Sequence, residues 1–433
     1  MRIYSKFKKW SDDTDLLEIL RGGGVFLIIR LLGSAAAYFF AWYISIEYGP
    51  EGNGVLSFTL TSAVLLSAIF NLGLNTYAVR IIPQFIHEKN EGNVRKFYQT
   101  ALRMIIRTMI AGSLILFLLS YIPSSKDLAR DIRLFTLLAL PLSILLFTSH
   151  VFRARKNILI FSLLQNNTLQ GAALILLMIP LWPRQHMSEP AIALIITCLI
   201  AAILSLKNKD ISAVPPSDGR FSTKKMLYES WPMLAGGISF MILNLTDRFM
   251  LRFLDTLPQL GIYDIALRIS NLTLMGILAI NSIAEPKFAE LYAADDHKRL
   301  RRMVRRATFL GIGITLPVIF ALAFFPKFWM NLFGKEGVFL AGTTTLLILL
   351  GGHMINTLSG GVLVLLNMTG QQRQVRTILL AVSLLNILLN ALFIPRWSIE
   401  GAAWATMIST IIWNIWGVIV VRRKLGFWMW AGK

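Results

Sequence analysis

The sequence alternates between long apolar stretches and short polar connections. A helix that crosses a membrane needs about 20 mostly apolar residues, and twelve such stretches follow one another along the chain. They cover residues 22–46, 54–78, 100–122, 132–152, 158–181, 190–206, 231–254, 261–284, 308–326, 338–366, 375–395 and 399–421. The pattern predicts an all-α membrane protein with about twelve transmembrane helices.

Composition supports this class. Of the 433 residues, 55% are hydrophobic and only 15% are charged, whereas a soluble domain carries about a quarter charged residues. The single cysteine, Cys198, lies in an apolar run and is interpreted as a small buried hydrophobic residue.

The distribution of positive charge orients the predicted spans. The net charge of +20 comes from short basic clusters between apolar runs, which is the pattern of a membrane protein and argues against a nucleic-acid partner. On the twelve-span layout, 29 Lys and Arg residues lie in the two termini and every second connection, and 6 lie in the other connections. Because Lys and Arg accumulate on the cytoplasmic side, both termini are predicted to be cytoplasmic.

Two halves of the chain resemble each other. Gly54, in YGPEGNG, lies 207 residues before Gly261, in LPQLGIYD, and Pro83 lies 203 residues before Pro286. We therefore predict two six-helix bundles, 1–206 and 231–433, joined by a cytoplasmic linker at 207–230. An even number of spans in each half makes the repeats parallel, and transporters built in this way bind substrate between the halves.

Charges interrupt two of the predicted spans. The stretch NLTDRFMLRFL (244–254) carries Asp247, Arg248 and Arg252, and span eight carries Asp264 and Arg268. A charge at the centre of a bilayer costs a few kcal/mol even on lenient scales. These side chains are therefore expected to face other helices or water rather than lipid.

Several motifs together resemble a known family. YGPEGNG, FNLGLNTYAVR, TDRFML, LGIYDIALRI and IPRWSIEGAAWATMIST look like the polysaccharide transporter family of the multidrug/oligosaccharidyl-lipid/polysaccharide exporter superfamily. The resemblance covers about residues 19–421. It implies a MATE-like fold in the bacterial inner membrane and the flipping of polyprenyl-diphosphate-linked oligosaccharides to the outer leaflet. It also implies that spans one, two, seven and eight line a central cavity. We further expect a monomer that works beside a glycan polymerase or other assembly proteins.

The polar residues of these four spans are the candidate site. An Arg side chain presents a planar fork that suits a diphosphate, and the arginines of these spans outnumber the acids, which leaves positive charge. Asp247 and Asp264 are candidates for coupling to an ion, or they pair with neighbouring arginines and hold the helices together. The candidate substrate-binding residues are Arg30, Arg248, Arg268, Asn71, Asn75, Asn244 and Asn271.

Other function classes fit the sequence less well. The motifs GxxxxGK[ST], HExxH and GxSxG do not occur, and the five histidines lack metal-ligand spacing, so no cofactor or metal is expected. A cation-coupled multidrug exporter of the same superfamily is the alternative, but spans one to six contain no interior Asp or Glu. A membrane glycan polymerase or ligase is less favoured, because no predicted outer connection exceeds about a dozen residues.

A last motif is strongly basic. Residues 298–306 read KRLRRMVRR and are interpreted as an amphipathic segment on the anionic cytoplasmic leaflet. Binding of a partner protein is the alternative interpretation.

Overall fold

The computed structural model describes residues 14–122, 125–164, 166–180, 182–183, 186–207 and 223–430. Every regular element in these residues is helical, which confirms the predicted all-α class. The helices are α1 (Thr14–Phe70), α2 (Leu74–His87), α3 (Glu91–Leu119), α4 (Lys126–Ala154), α5 (Ile158–Leu163), α6 (Asn166–Met178), α7 (Glu189–Leu206), α8 (Thr223–Leu254), α9 (Leu257–Asn271), α10 (Leu274–Ala293), α11 (His297–Phe324), α12 (Pro326–Asn331), a 3₁₀ helix (Lys335–Gly342), α13 (Thr343–Ser359), α14 (Val362–Met368) and α15 (Gln372–Leu425).

Many of these helices are long and apolar enough to cross a membrane. In the described part of the chain, seven helices meet this criterion, and α9 with α10, bent by 47°, forms an eighth span. Two of the seven each cover two predicted spans, because α1 is interrupted by a non-helical residue at Gly49 and α15 by one at Ser398. Each of the twelve predicted spans therefore falls on a helix or on consecutive helices.

Predicted span two is broken in its last third. The chain leaves the helix at residues 71–73, where Leu72 and Gly73 adopt positive φ angles of 50° and 75°. A Cβ atom at Gly73 would lie only 2.4 Å from the carbonyl oxygen of Ser230. Glycine is required here both for its backbone conformation and for the close approach of α8. Span eight is also broken, between α9 and α10.

The chain forms two compact units. The first unit comprises the described parts of residues 1–43 and 62–235. Helix α4 lies at its centre and packs against α2, α3 and α7. An aromatic cluster ties these helices together, since the ring of Phe97 contacts both Tyr77 and Phe147, and Tyr98 stacks on Phe147 with ring centroids 5.7 Å apart.

The second unit comprises residues 44–61 and the described residues from 236 onward. Its helix α15 packs against α13 and α14, and α11 packs against α10 and α13. A small residue permits a close approach inside α15: in the GAAWAT motif a Cβ atom at Gly401 would lie 2.4 Å from the carbonyl oxygen of Phe393, on the other side of the break at Ser398. Small residues at such positions let helix backbones approach closely in lipid.

Polar bonds reinforce the second unit. Asn386 donates to Ser409 Oγ at 3.1 Å, and Asn390 donates to Asn386 Oδ1 at 3.0 Å. The first bond links the two predicted spans of α15, and the second lies within the span 375–395. The predicted lobes 1–206 and 231–433, and the linker between them, stay a prediction, and residues 208–222 of the linker lie outside the described residues.

Candidate functional site

The charged residues of predicted spans seven and eight are buried. Asp247 on α8 is 4% exposed, and Asp264 on α9 is 2% exposed. The side chains of Arg248 and Arg268 are 17% and 16% exposed. A buried charge within a membrane span needs a partner, and each carboxylate has one.

Asp264 pairs with two arginines. Its Oδ2 accepts a hydrogen bond from Nε of Arg268 at 2.6 Å, one turn further along α9. Its Oδ1 lies 2.9 Å from Nε of Arg248, which comes from α8. The pairing within α9 has the favourable order, with the acid four residues before the base. One carboxylate thus holds two guanidinium groups together.

Asp247 has different partners. Its Oδ2 accepts from the hydroxyl of Tyr263 at 2.5 Å, and its Oδ1 accepts from the backbone N–H of Arg248 at 2.8 Å. Tyr263 is completely buried. Because successive residues of a helix point about 100° apart, Tyr263 and Asp264 reach different partners on α8. We call Asp247, Arg248, Tyr263, Asp264 and Arg268 the Asp264 network.

Sequence reasoning named four of these five residues but not Tyr263. The tyrosine is part of the GIYD motif, yet its role depends on the rotation of α9 against α8, which the sequence does not display. Arg252, from the same charged stretch as Arg248, lies over the ring of Phe58 at 5.7 Å.

The other candidates are distributed over both units. In the second unit, Asn244 is exposed and Asn271 is half-buried at the end of α9. In the first unit, Asn75 is half-buried, whereas Asn71 is fully buried at the break of span two, and neither polar atom of its side chain has a partner within the described residues. The side chain of Arg30 lies outside the described residues.

The two repeated glycines contact each other's helices. A Cβ atom at Gly54 would lie 2.1 Å from the carbonyl oxygen of Leu257, and one at Gly261 would lie 1.8 Å from that of Pro50. Each carbonyl belongs to the residue four positions before the other glycine, so the contact is symmetric between the repeats. We call it the glycine contact. It joins the ends of the spans that are predicted to face outward.

Two further observations concern metal ligands and His353. No group of three or more His, Cys, Asp or Glu side chains in the described part of the chain has the arrangement of a metal site. His353 is half-buried, and its Nε2 lies 3.3 Å from Ser270 Oγ. The Asp264 network is a set of paired charges on predicted spans seven and eight.

Comparison with known proteins decides the family. The family described as "Polysaccharide biosynthesis protein" matches residues 19–292, which is more than half of the chain. The chain belongs to this family. The MatE family matches residues 232–392. A comparison with curated protein sequences gives no match.

Several solved structures with the same fold align with most of this chain. A lipid II flippase, MurJ, in an inward closed conformation has a TM-score of 0.72 at 16% identity, covering 92% of this chain and 87% of that one. An inward-facing multidrug resistance MATE transporter of the MOP superfamily has a TM-score of 0.69 at 14% identity, covering 92% and 98%. A MOP superfamily transporter from Pyrococcus furiosus has a TM-score of 0.62 at 13% identity, covering 95% of both chains. The MATE-like, multi-pass membrane fold predicted from the sequence is confirmed.

Proposed function

We propose that the protein is a flippase. It moves a polyprenyl-diphosphate-linked oligosaccharide from the cytoplasmic to the outer leaflet of the bacterial inner membrane, for the synthesis of a surface polysaccharide. Transport proceeds by alternating access through a cationic central cavity, and the lipid tail stays in the bilayer. The protein acts as a monomer beside a glycan polymerase or other assembly proteins, and both of its termini are cytoplasmic.

The observation that carries this proposal is the pairing of Arg248 and Arg268 with one carboxylate. Arg248 and Arg268 share Asp264, while Asp247, the second acid of the network, is held by Tyr263 and a backbone N–H. Both arginine side chains retain some exposure, whereas both acids are buried. The accessible charge is thus positive, which favours a ligand with negative charge, and a guanidinium group can bind phosphate oxygens in pairs.

Asp264 has a defined role in this mechanism. Without substrate it keeps the two arginines in place and limits their electrostatic repulsion. A diphosphate offers more acceptor oxygens than one carboxylate, so the arginines can exchange Asp264 for the headgroup. Uptake of a proton or another cation at Asp264 would release the arginines to the substrate, which is how this residue, or Asp247, would couple transport to an ion.

The membrane potential can drive the same step. An interior-negative potential pushes an anionic headgroup outward with about 2.3 kcal/mol per charge for each 100 mV. Two phosphate charges would therefore gain several kcal/mol. This force acts whether or not an ion is coupled.

A cation-coupled multidrug exporter is the second candidate, because the fold is shared with MATE transporters. Its carboxylates would need to be available to a cation. In the first unit Asp131 is fully buried and bonded to Arg130 at 3.0 Å, and Glu189 accepts from the backbone N–H of His186. These two acids are engaged in structural bonds near helix starts. The flippase is therefore the better-supported function.

The test uses a strain from which the gene has been deleted. We expect lipid-linked oligosaccharide to accumulate on the cytoplasmic face and surface glycan to be lost. Arg248→Ala and Arg268→Ala should each fail to restore the glycan despite normal membrane insertion. Each removed guanidinium deletes charge-assisted hydrogen bonds of about 1.5–3 kcal/mol, which is a loss of roughly tenfold to a hundredfold in headgroup affinity.

A matched control uses another arginine of a membrane helix. Arg107 on α3 is exposed and has no part in the Asp264 network, so Arg107→Ala should restore the glycan fully. Complementation by both network variants would remove the arginines from the mechanism. Normal surface glycan in the deletion strain would overturn the proposed function itself.

A further inference from the structure

The start of α11 carries a dense basic surface. Six Lys and Arg residues occur within nine positions, and Leu300 and Val304, between them, are buried in the core of the second unit. The helix therefore presents one side to the protein and the opposite side to its surroundings. We call the exposed side the basic face of α11; its cations are Lys298, Arg299, Arg302, Arg305 and Arg306.

Most of the basic face has no acidic partner in the part of the chain that the structure describes. Asp296 caps the helix and pairs with Arg299 at 3.3 Å, and Asp295 lies 3.0 Å from His297. Within the described residues, Arg302, Arg305 and Arg306 form no ion pair with a carboxylate. Asp295 and Asp296 thus pair with residues of the first turn of α11, and the positive charges of the next two turns are not neutralised by them.

This arrangement is unfavourable for an isolated helix. Cations near a helix N-terminus oppose the helix dipole, and like charges four residues apart, as at Lys298 and Arg302 or at Arg302 and Arg306, repel each other. An anion outside the protein would relieve both effects. The position of the basic face indicates which anion is available.

The basic face continues directly into a surface for lipid. Further along the same helix, Phe309, Leu310 and Ile314 are 49%, 60% and 52% exposed in a predicted span. The guanidinium group of Arg305 lies 5.6 Å from the centre of the Phe309 ring, at the boundary between the two surfaces. Arg302 and Phe309 are about 10 Å apart along the helix axis, comparable with the thickness of a headgroup layer. With the predicted span in a bilayer, the cations are therefore expected at the depth of the phosphate groups.

We propose that the basic face of α11 binds the headgroups of anionic phospholipids in the cytoplasmic leaflet. Clusters of four to eight Lys and Arg residues immediately beside a membrane helix have this affinity, and each cation contributes separately. The site is distinct from the Asp264 network and does not depend on transport. It anchors the cytoplasmic end of the second unit to anionic lipid.

The test measures lipid binding by the full-length purified protein in neutral detergent. Short-chain phosphatidylglycerol should raise its melting temperature more than phosphatidylcholine does, and added salt should weaken the effect. The variant with Arg302→Gln, Arg305→Gln and Arg306→Gln should bind phosphatidylglycerol about a hundredfold more weakly. A second variant with lysine at these three positions keeps the charge and should bind nearly as well as the natural protein.

The control removes the same charge elsewhere on the predicted cytoplasmic side. Arg373, Arg376 and Arg423 are exposed, and their replacement with glutamine should leave phosphatidylglycerol binding unchanged. An equal loss in this control, or full binding by the α11 glutamine variant, would overturn the proposal. An equal rise in melting temperature with polyglutamate would also overturn it, by indicating a surface for an acidic protein.

Discussion

The glycine contact leads to a quantitative prediction. A methyl group at Gly261 would lie 1.8 Å from the carbonyl oxygen of Pro50, and one at Gly54 would lie 2.1 Å from that of Leu257. A carbon atom normally approaches a carbonyl oxygen no closer than about 3.3–3.6 Å. Because backbone atoms cannot rotate away, Gly261→Ala must push the two helices apart by more than about 1 Å.

The cost of this displacement can be estimated. Overpacking of a close contact costs about 1–3 kcal/mol, whereas the preference of a helix for alanine over glycine favours the variant by about 1 kcal/mol. The alternating access proposed above requires this contact to open on the outer side, so the overpacking energy applies only to the state in which the contact is closed. We therefore expect Gly261→Ala to shift the equilibrium toward the outward-open state by roughly fivefold to a hundredfold.

The assay measures access to a cysteine next to the contact. Ser57 is buried, lies one turn from Gly54 and resembles cysteine in size, so Ser57→Cys is placed in a Cys198→Ala background. A membrane-impermeant maleimide is then added from the outside. Gly261→Ala should increase the labelling rate by about tenfold. It should also slow transport, because the inward-open state becomes less populated.

Gly313→Ala is the matched control. Gly313 is also a membrane glycine, but a Cβ atom there would meet nothing within 4 Å, so labelling and transport should not change. Equal labelling in the Gly261 and Gly313 variants, at equal membrane levels, would refute the conclusion that the glycine contact holds the outer side closed.

Three further predictions concern polar contacts of the second unit. Asp264→Asn leaves two guanidinium groups without their shared carboxylate, so the melting temperature should fall, and added inorganic diphosphate should restore part of it; an unchanged melting temperature would contradict the pairing. Tyr263→Phe removes the hydroxyl donor to a buried carboxylate at a cost of about 1.5–3 kcal/mol, measured by unfolding in detergent, whereas Tyr292→Phe, at a half-buried position outside the network, should cost little. Asn386→Ala deletes the bond to Ser409 and should cost about 0.6–1.7 kcal/mol in the same assay; no change would show that the bond is not formed in the membrane.

Sequence reasoning anticipated the elements better than their contacts. Length and hydropathy placed the helices, and the i,i+4 rule anticipated the pairing of Asp264 with Arg268. It could not anticipate the second pairing, of Asp264 with Arg248, because that requires the crossing of α8 and α9. The partner of Asp247 was missed for the same reason, since a tyrosine in an apolar helix is most often a packing residue.

The breaks within spans were equally hard to predict. A window of about 20 apolar residues is continuous through Asn71, Leu72 and Gly73, so the hydropathy pattern assigns one helix there. The structure instead turns at this point and brings α8 against Gly73. The repeat identified Gly54 and Gly261 as equivalent, but equivalence alone does not show that two residues meet.

Comparison of equivalent residues in the two repeats distinguishes residues that the fold requires from residues that the function requires. At the offset of 207 that relates the two glycines, Asp264 corresponds to Ser57 and Arg268 to Thr61. Both repeats carry a glycine at this position because each helix must let the other approach. The charges occur in one copy only, although Ser57 and Thr61 also lie on a buried helix surface. If Asp264 and Arg268 served only to hold neighbouring helices together, an equivalent charge pair would be needed at Ser57 and Thr61 in the first repeat. The difference between the repeats therefore favours a role for Asp264 and Arg268 in binding a ligand.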